Sequence, residues 1–434
     1  MEHYLGSDIC PCGKRHTADI DDVIIGNGVI AKLPEIIAKY GAKKPFILAD
    51  VNTHQAAGEA VCNLLDASGI DYSSYVFPNT ALEPDEQAVG SLMLHYDSRC
   101  DLIIGIGSGV INDIGKILSN ITGHRYIIVA TAPSMDGYAS ATSSMARDGL
   151  KISLNTRCAD MILGDMDILK NAPLHMLKSG LGDMLAKYIS IAEWRIAHII
   201  TGEYYCEEVA QLIRSALKKC VDNAEGLLKR EDAAIRAVFE GLVIGGIAMT
   251  YAGVSRPASG VEHYFSHVWD MRGLEFGTPV DLHGIQCAQA TLVAAKLYEA
   301  VKGMTPSKEQ AEAFVADFRY DSWRETLRSF LGRSAEAMIA LEEKEGKYRK
   351  STHPVRFETI ESNWSDIVRI IEEEIPSNET LARLLDTIGV SRELDMDKET
   401  VKLSFLATKD IRDKYVLSRL AWDLGICDIL CDIL

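Results

Sequence analysis

The chain has 434 residues, a formal net charge of −17, 47% apolar and 25% charged residues. That length exceeds what one hydrophobic core usually serves, so two domains are expected. The acidic balance excludes a general nucleic-acid binder, which would carry a basic face, but it leaves room for an anionic small molecule. No apolar run approaches the about 20 residues that cross a bilayer, so no membrane span is expected. Met1-Glu2-His3-Tyr4 lacks the basic and apolar regions of a signal peptide. Together with ten scattered cysteines, this reads as a cytoplasmic protein with reduced thiols.

In chain order, short apolar runs alternate with amphipathic stretches. Strands are expected at Val23–Ile25, Phe46–Ala49, Tyr75–Phe77, Leu102–Ile104 and Tyr126–Val129. Helices are expected around Leu33–Tyr40, His54–Ser68, Asp85–Tyr96 and Ile111–Asn120. Such alternation predicts βαβ units and a Rossmann-like parallel sheet. The strands are continuously apolar, as both-sided burial requires. After Pro173 the spacing turns helical, over Leu181–Ile200, Glu203–Leu228, Glu231–Ala252 and Leu282–Val301, and it stays helical to the end. The expectation is an α/β domain over residues 1–170 and an all-α domain over 171–434. The charged run Glu342–Lys347 reads as a solvated helix face or loop. No internal repeat or low-complexity segment is evident.

Two loops follow strands. Leu102–Asp113 runs from an apolar strand through Gly105, Gly107 and Gly109 into a helix. Glycines there let the backbone approach a pyrophosphate, and the helix N-terminus favours the anion. The Gly-x-Gly-x-Gly spacing departs from the Rossmann Gly-x-Gly-x-x-Gly, and a plain tight turn is the competing reading. Asp50 ends the second strand, where a carboxylate can accept from a ribose hydroxyl and favour NAD over NADP, or can simply cap the next helix. Ala130–Ser140 forms a polar loop at a strand's C-terminal end, the edge that carries ligands in open α/β sheets.

His263 and His267 stand four residues apart, which places them on one helix face, and His283 follows in Leu282-His283-Gly284. Neutral imidazoles ligate zinc, nickel or iron. An oxygen ligand would complete a catalytic site with an open position, and Asp183 in Gly180–Lys187 offers one. The segment Cys10-Pro11-Cys12-Gly13-Lys14-Arg15-His16 resembles half a zinc site, but no second pair is evident, so a small hairpin is expected. Cys427 and Cys431, one turn apart in an Ile- and Leu-rich tail, read as buried apolar residues.

The stretches Gly105–Lys116, Thr131–Ser140, Gly180–Lys187, Ser255–His267 and His283-Gly284 resemble, in this order, the iron-containing alcohol dehydrogenase and dehydroquinate synthase superfamily. Within it they are similar to the bacterial sn-glycerol-1-phosphate dehydrogenases, over about residues 20 to 300. The resemblance implies the dehydroquinate synthase-like architecture and roles for individual residues. Asp183, His263 and His283 would hold one divalent metal, with Asp183 also beside the substrate. His267 would face the substrate as a catalytic group, and Asp136 would touch the substrate. Gly107, Ser108, Gly109, Val110, Ile111, Asn112 and Asp113 would lie along the pyrophosphate of NAD(H), or alternatively NADP(H). Thr131, Ser134 and Ser140 would contact the nicotinamide half, and Asp50 the adenosine ribose. Arg256 and Lys187 are the cations nearest the motifs for a substrate phosphate. Iron enzymes of this group place a His four residues after the metal Asp. Here Lys187 stands at that position, which points to zinc or nickel before iron.

The implied reaction is metal-assisted hydride transfer between a nicotinamide and dihydroxyacetone phosphate, giving sn-glycerol 1-phosphate in a homodimeric enzyme of phospholipid synthesis. The competing readings are a glycerol or other polyol dehydrogenase, a dehydroquinate synthase-type lyase, and a non-enzymatic metal-binding protein.

Overall fold

The computed structural model describes residues 6–147 and 150–434. Its strands are β1 (Gly6–Ile9), β2 (Arg15–Thr17), β3 (Asp22–Gly26), β4 (Pro45–Asp50), β5 (Ser73–Phe77), β6 (Leu102–Gly107), β7 (Arg125–Ala130), β8 (Thr142–Arg147), β9 (Leu150–Asn155) and β10 (Met161–Asp165). Six of them form one sheet in the order β3-β10-β7-β6-β4-β5, and every pairing in it is parallel. All five expected strands are present. β10 and the antiparallel hairpin β8–β9 were not anticipated. The apolar run in β10 is short and broken by Gly164. That glycine is required because a Cβ there would strike the Phe239 ring.

β4, β6 and β7 have buried interiors. Their side chains join Leu33, Ile36, Val61, Leu65, Met161 and Leu163 in one apolar core. At about 1.5–3 kcal/mol for each fully buried aliphatic side chain, this packing drives formation of the sheet. The parallel pairing carries the ends of β4, β6 and β7 to one edge, in register at Leu48–Gly105 and Gly107–Ala130.

The chain divides into two compact units. One is Met1–Met184 with Gln211–Ser255; the other is Leu185–Ala210 with Arg256–Leu434. In the first, the helix Asp232–Ala252 is long and apolar enough by length and composition to cross a membrane, but 72% of its most apolar window is buried in the fold. It is a core helix, and Gly245 and Gly246 let the 136–139 loop lie against it.

The second unit is helical. Val261–Phe276 packs on His283–Lys302, Lys187–Thr201 and Lys398–Thr408. The C-terminal third is integral to this unit: Trp364–Glu374 packs on Lys187–Thr201, and Cys427 and Cys431 are buried as expected. In the charged run Glu343, Lys344 and Glu345 are exposed at the end of a helix, as expected for a solvated face, and only its two ends turn inward. Glu342 is buried and pairs with Lys347 at 2.6 Å, and burial with the nearby Asp410 charge pushes its carboxyl up to about 7.

Candidate active site

In the first unit, the turn after β6 and the loop after β7 lie side by side. Thr131 N–H donates to the Gly107 carbonyl at 3.0 Å. A Cβ on Gly107 would fall 2.5 Å from Ile111 Cβ, so the turn requires glycine. Ser108 stands at the N-cap of the helix Gly109–Thr122 but makes no side-chain cap bond. Its Oγ instead meets Ser134 Oγ at 2.5 Å and accepts from Tyr138 Oη at 3.2 Å. The helix start therefore lacks a side-chain acceptor, which is the arrangement an anionic pyrophosphate completes.

Several expected cofactor residues hold this edge together through their side chains. Ile111 is buried against Gly107. Asn112 Nδ2 donates to the Gly137 carbonyl at 3.0 Å. Asp113 pairs with Lys116 at 2.9 Å. Ser140 Oγ bonds Thr142 Oγ1 at 2.9 Å. Asp50 Oδ1 accepts from Asn52 N and Thr53 N, both at 2.8 Å, so the capping reading is realised. The cap also holds the carboxylate at the sheet edge beside the glycine turn. The sequence reading gave Lys116 no role. It is fully buried and donates to the Gly137 and Thr142 carbonyls at 3.3 and 2.5 Å, clamping the C-terminal part of the loop.

Asp183 lies at the buried end of the helix Leu174–Leu185. Its Oδ2 accepts from Asp136 N at 2.9 Å, which ties it to the 131–140 loop. Ser179 Oγ donates to the Ser134 carbonyl at 2.9 Å. Gly180 admits the Pro133 carbonyl where any Cβ would collide.

In the second unit, His263 is buried with Nδ1 2.8 Å from Glu262 Oε1. A carboxylate oxygen accepts there, so Nδ1 carries the proton and Nε2 a lone pair. His283 reaches the same tautomer by another route. Ser266 Oγ donates to Gln286 Oε1 at 2.6 Å and so accepts from His283 Nδ1 at 2.8 Å. The rings of His263 and His283 lie 5.0 Å apart, and those of His267 and His283 lie 6.1 Å apart. Imidazoles whose Nδ1 is anchored by a second group are the arrangement found at metal centres. Two such rings suit a borderline divalent ion. Cys287, unremarked in the sequence reading, places Sγ 3.7 Å from His283 Nε2, one turn along the same helix.

The two cations expected near the substrate phosphate have protein partners. Arg256 is buried, with Nε 2.5 Å from Glu203 Oε1, and Nη2 and Nη1 donating to Glu203 Oε2 at 2.8 Å and the Tyr415 carbonyl at 2.9 Å. Lys187 is fully buried and donates to the Ala258 carbonyl at 3.1 Å. The segment Lys414–Leu417 braces the same turn, since Lys414 Nζ donates to the Ser259 carbonyl at 2.8 Å.

Glu193, also missed, is buried beneath this turn. It accepts from Val261 N and Leu417 N at 2.8 Å each and from Tyr298 Oη at 3.0 Å. Burial first, then the Glu262 charge, pushes its carboxyl up to about 8. An unfolded Glu titrates near about 4.3. The resulting stabilisation is complete below that unfolded value and is lost as pH rises through about 8. Between pH 5 and 9, wild-type Tm is therefore expected to fall more steeply than that of Glu193→Gln. Parallel melting curves across that range would show that Glu193 does not titrate in this way.

Residues 24–173 match the family of iron-containing alcohol dehydrogenases. The iron-containing alcohol dehydrogenase of Thermococcus thioreducens superimposes with a TM-score of 0.59 over 95% of this chain and 97% of its own, at 14% identity. The fold is thus that of the iron-containing alcohol dehydrogenases. A glycerol-1-phosphate dehydrogenase [NAD(P)+] of Halalkalibacterium halodurans is 35% identical over 294 residues, 67% of this chain and 74% of its own. One from Bacillus velezensis is 33% identical over 289 residues, 66% and 73% respectively. The chain belongs to the glycerol-1-phosphate dehydrogenase family of NAD(P)-dependent oxidoreductases.

Proposed function

We propose that this protein reduces dihydroxyacetone phosphate to sn-glycerol 1-phosphate, reversibly, with NADH or NADPH and one divalent metal. The observation that carries the reading is the 35% identity to a relative of that name across 74% of the relative's length. The two Nδ1-anchored imidazoles support the metal chemistry.

In this reading Asp183, His263 and His283 are the ligands, residues 1–170 serve the cofactor and, through Asp136, the substrate, and residues 171–434 serve metal and substrate. A bound divalent ion supplies Lewis acidity toward a carbonyl oxygen, and the nicotinamide supplies hydride. Lys187 at the position where iron enzymes carry a histidine favours zinc or nickel. The Gly107–Asp113 turn would seat the pyrophosphate; Thr131, Ser134 and Ser140 would orient the nicotinamide; Asp50 would accept from the ribose. Asp136, held through its own N–H by Asp183, would position the substrate. His267 would deliver the proton to the C2 oxygen. Arg256 and Lys187 are proposed for the phosphate, each giving up a present acceptor to reach it. We further take the enzyme to be a cytoplasmic homodimer whose product enters phospholipid synthesis.

His267→Ala is expected to keep its metal and lose roughly 10²–10⁴ in kcat, the usual worth of a positioned proton donor. An unchanged kcat would remove His267 from proton transfer. Substrate identity is tested by comparing dihydroxyacetone phosphate with dihydroxyacetone and glyceraldehyde 3-phosphate. Turnover of dihydroxyacetone alone would convert the reading to glycerol dehydrogenase.

A further inference from the structure

The segment Cys10–His16 has no role in the proposed reaction, yet it is built like a ligand set. β1 and β2 form a tight hairpin whose turn passes through Gly13 at φ 84°. Gly13 N–H donates to the Cys10 carbonyl at 2.8 Å, and Cys10 N–H to the Lys14 carbonyl at 2.9 Å. This knuckle gathers both sulfurs near His16 in β2. Cys10 Sγ, Cys12 Sγ and a His16 ring nitrogen lie within 4.8 Å of one another, and Cys12 Sγ is 3.4 Å from His16 Nε2.

The histidine settles which nitrogen faces the sulfurs with a lone pair. His16 is buried and stacks on Tyr251, ring centroids 5.3 Å apart. Its Nδ1 lies 3.1 Å from the Tyr251 carbonyl, which can only accept, so Nδ1 is the protonated nitrogen. Nε2, pointing at Cys12, is the acceptor. A backbone carbonyl that holds the remote ring nitrogen is the usual support of a ligating histidine. Two sulfurs with one imidazole form a soft set suited to zinc. The exposed side chains of Lys14 and Arg15 add positive charge that favours thiolates.

We propose that Cys10, Cys12 and His16 bind a zinc ion that pins the β1–β2 hairpin to the C-terminal end of the helix Asp232–Ala252, where Tyr251 sits. This ion is structural and separate from the metal proposed for catalysis. The fourth position goes to water or a further thiolate of the chain, which a serine scan of the remaining cysteines identifies.

The test is metal content by plasma mass spectrometry on the full-length protein, with kcat and Tm measured alongside. Cys10→Ser with Cys12→Ser is expected to lose one zinc equivalent per chain. It should retain kcat and melt several degrees lower. His16→Ala should lose the same equivalent, and His16→Cys should keep it. Should the double serine variant fail to fold, cobalt reconstitution of the wild-type chain decides the matter. A thiolate-to-cobalt charge-transfer band that His16→Ala abolishes supports the site. Unchanged zinc in the double variant, absence of that band, or a Cys10–Cys12 disulfide in protein purified without reductant would overturn it.

Discussion

Replacing His263 with alanine is expected to abolish metal binding and turnover together. His263 is buried, its Nδ1 proton is taken by Glu262 Oε1 at 2.8 Å, and Glu262 Oε1 is itself held by Gly260 N–H at 2.7 Å. In the proposed ligand set Nε2 is the nitrogen that would bind the ion, and the ring's orientation is set by a carboxylate that in turn accepts from Gly260 N–H at the start of the same helix. Removing the ring deletes a ligand and leaves that buried carboxylate without its neighbour. If the bound ion contributes several kcal/mol of charge stabilisation, kcat/KM should fall by roughly 10³ or more. Metal content measured on the same sample should fall in parallel, which separates this variant from His267→Ala. Full metal occupancy with normal turnover would exclude His263 from the ligand set.

Gly180→Ala should act through the cofactor. The new Cβ would collide with the Pro133 carbonyl oxygen and lie 2.8 Å from its carbon and 3.1 Å from Leu242 Cδ1. The obstacle is backbone, so the loop must move rather than a side chain. That loop carries Ser134, whose hydroxyl meets Ser108 at the glycine turn and whose carbonyl is bonded by Ser179. Displacing it is expected to raise KM for NADH about tenfold or more and to destabilise the fold by about 1–3 kcal/mol, the usual range for an overpacked site. Gly90→Ala, where a Cβ would meet nothing within 4 Å, is the control and should be neutral or slightly stabilising. A Gly180→Ala enzyme with unaltered NADH kinetics would show that the loop does not shape the cofactor site.

What could be read from the sequence follows the range of the forces involved. β4, β6 and β7 are runs such as Phe46-Ile47-Leu48-Ala49, legible because both faces of an inner parallel strand are buried and no alternation is needed. β10 was hidden because Gly164 interrupts its apolar run. The reason for that glycine, the Phe239 ring, lies 75 positions along the chain. Glu193 was invisible for the same reason, since its partners Val261 and Leu417 are 68 and 224 residues away. His263 and His267 were legible from i, i+4 spacing, but the tautomers of His263 and His283 were not, because Glu262, Ser266 and Gln286 had to be placed first. Asp50 shows a local alternative being realised: the cap that sequence allowed is present. Arg256 shows the reverse. Its charge was evident, but its commitment to Glu203 and the Tyr415 carbonyl depends on the fold.

The central claim is tested most directly by stripping the purified protein with a chelator, reloading it with zinc or nickel, and following NADH absorbance with dihydroxyacetone phosphate. NADH oxidation that requires the metal and is confined to dihydroxyacetone phosphate, with sn-glycerol 1-phosphate identified by chiral analysis, is the expected result. Full activity in the stripped protein, or no oxidation by a protein that holds both metal and NADH, would contradict it.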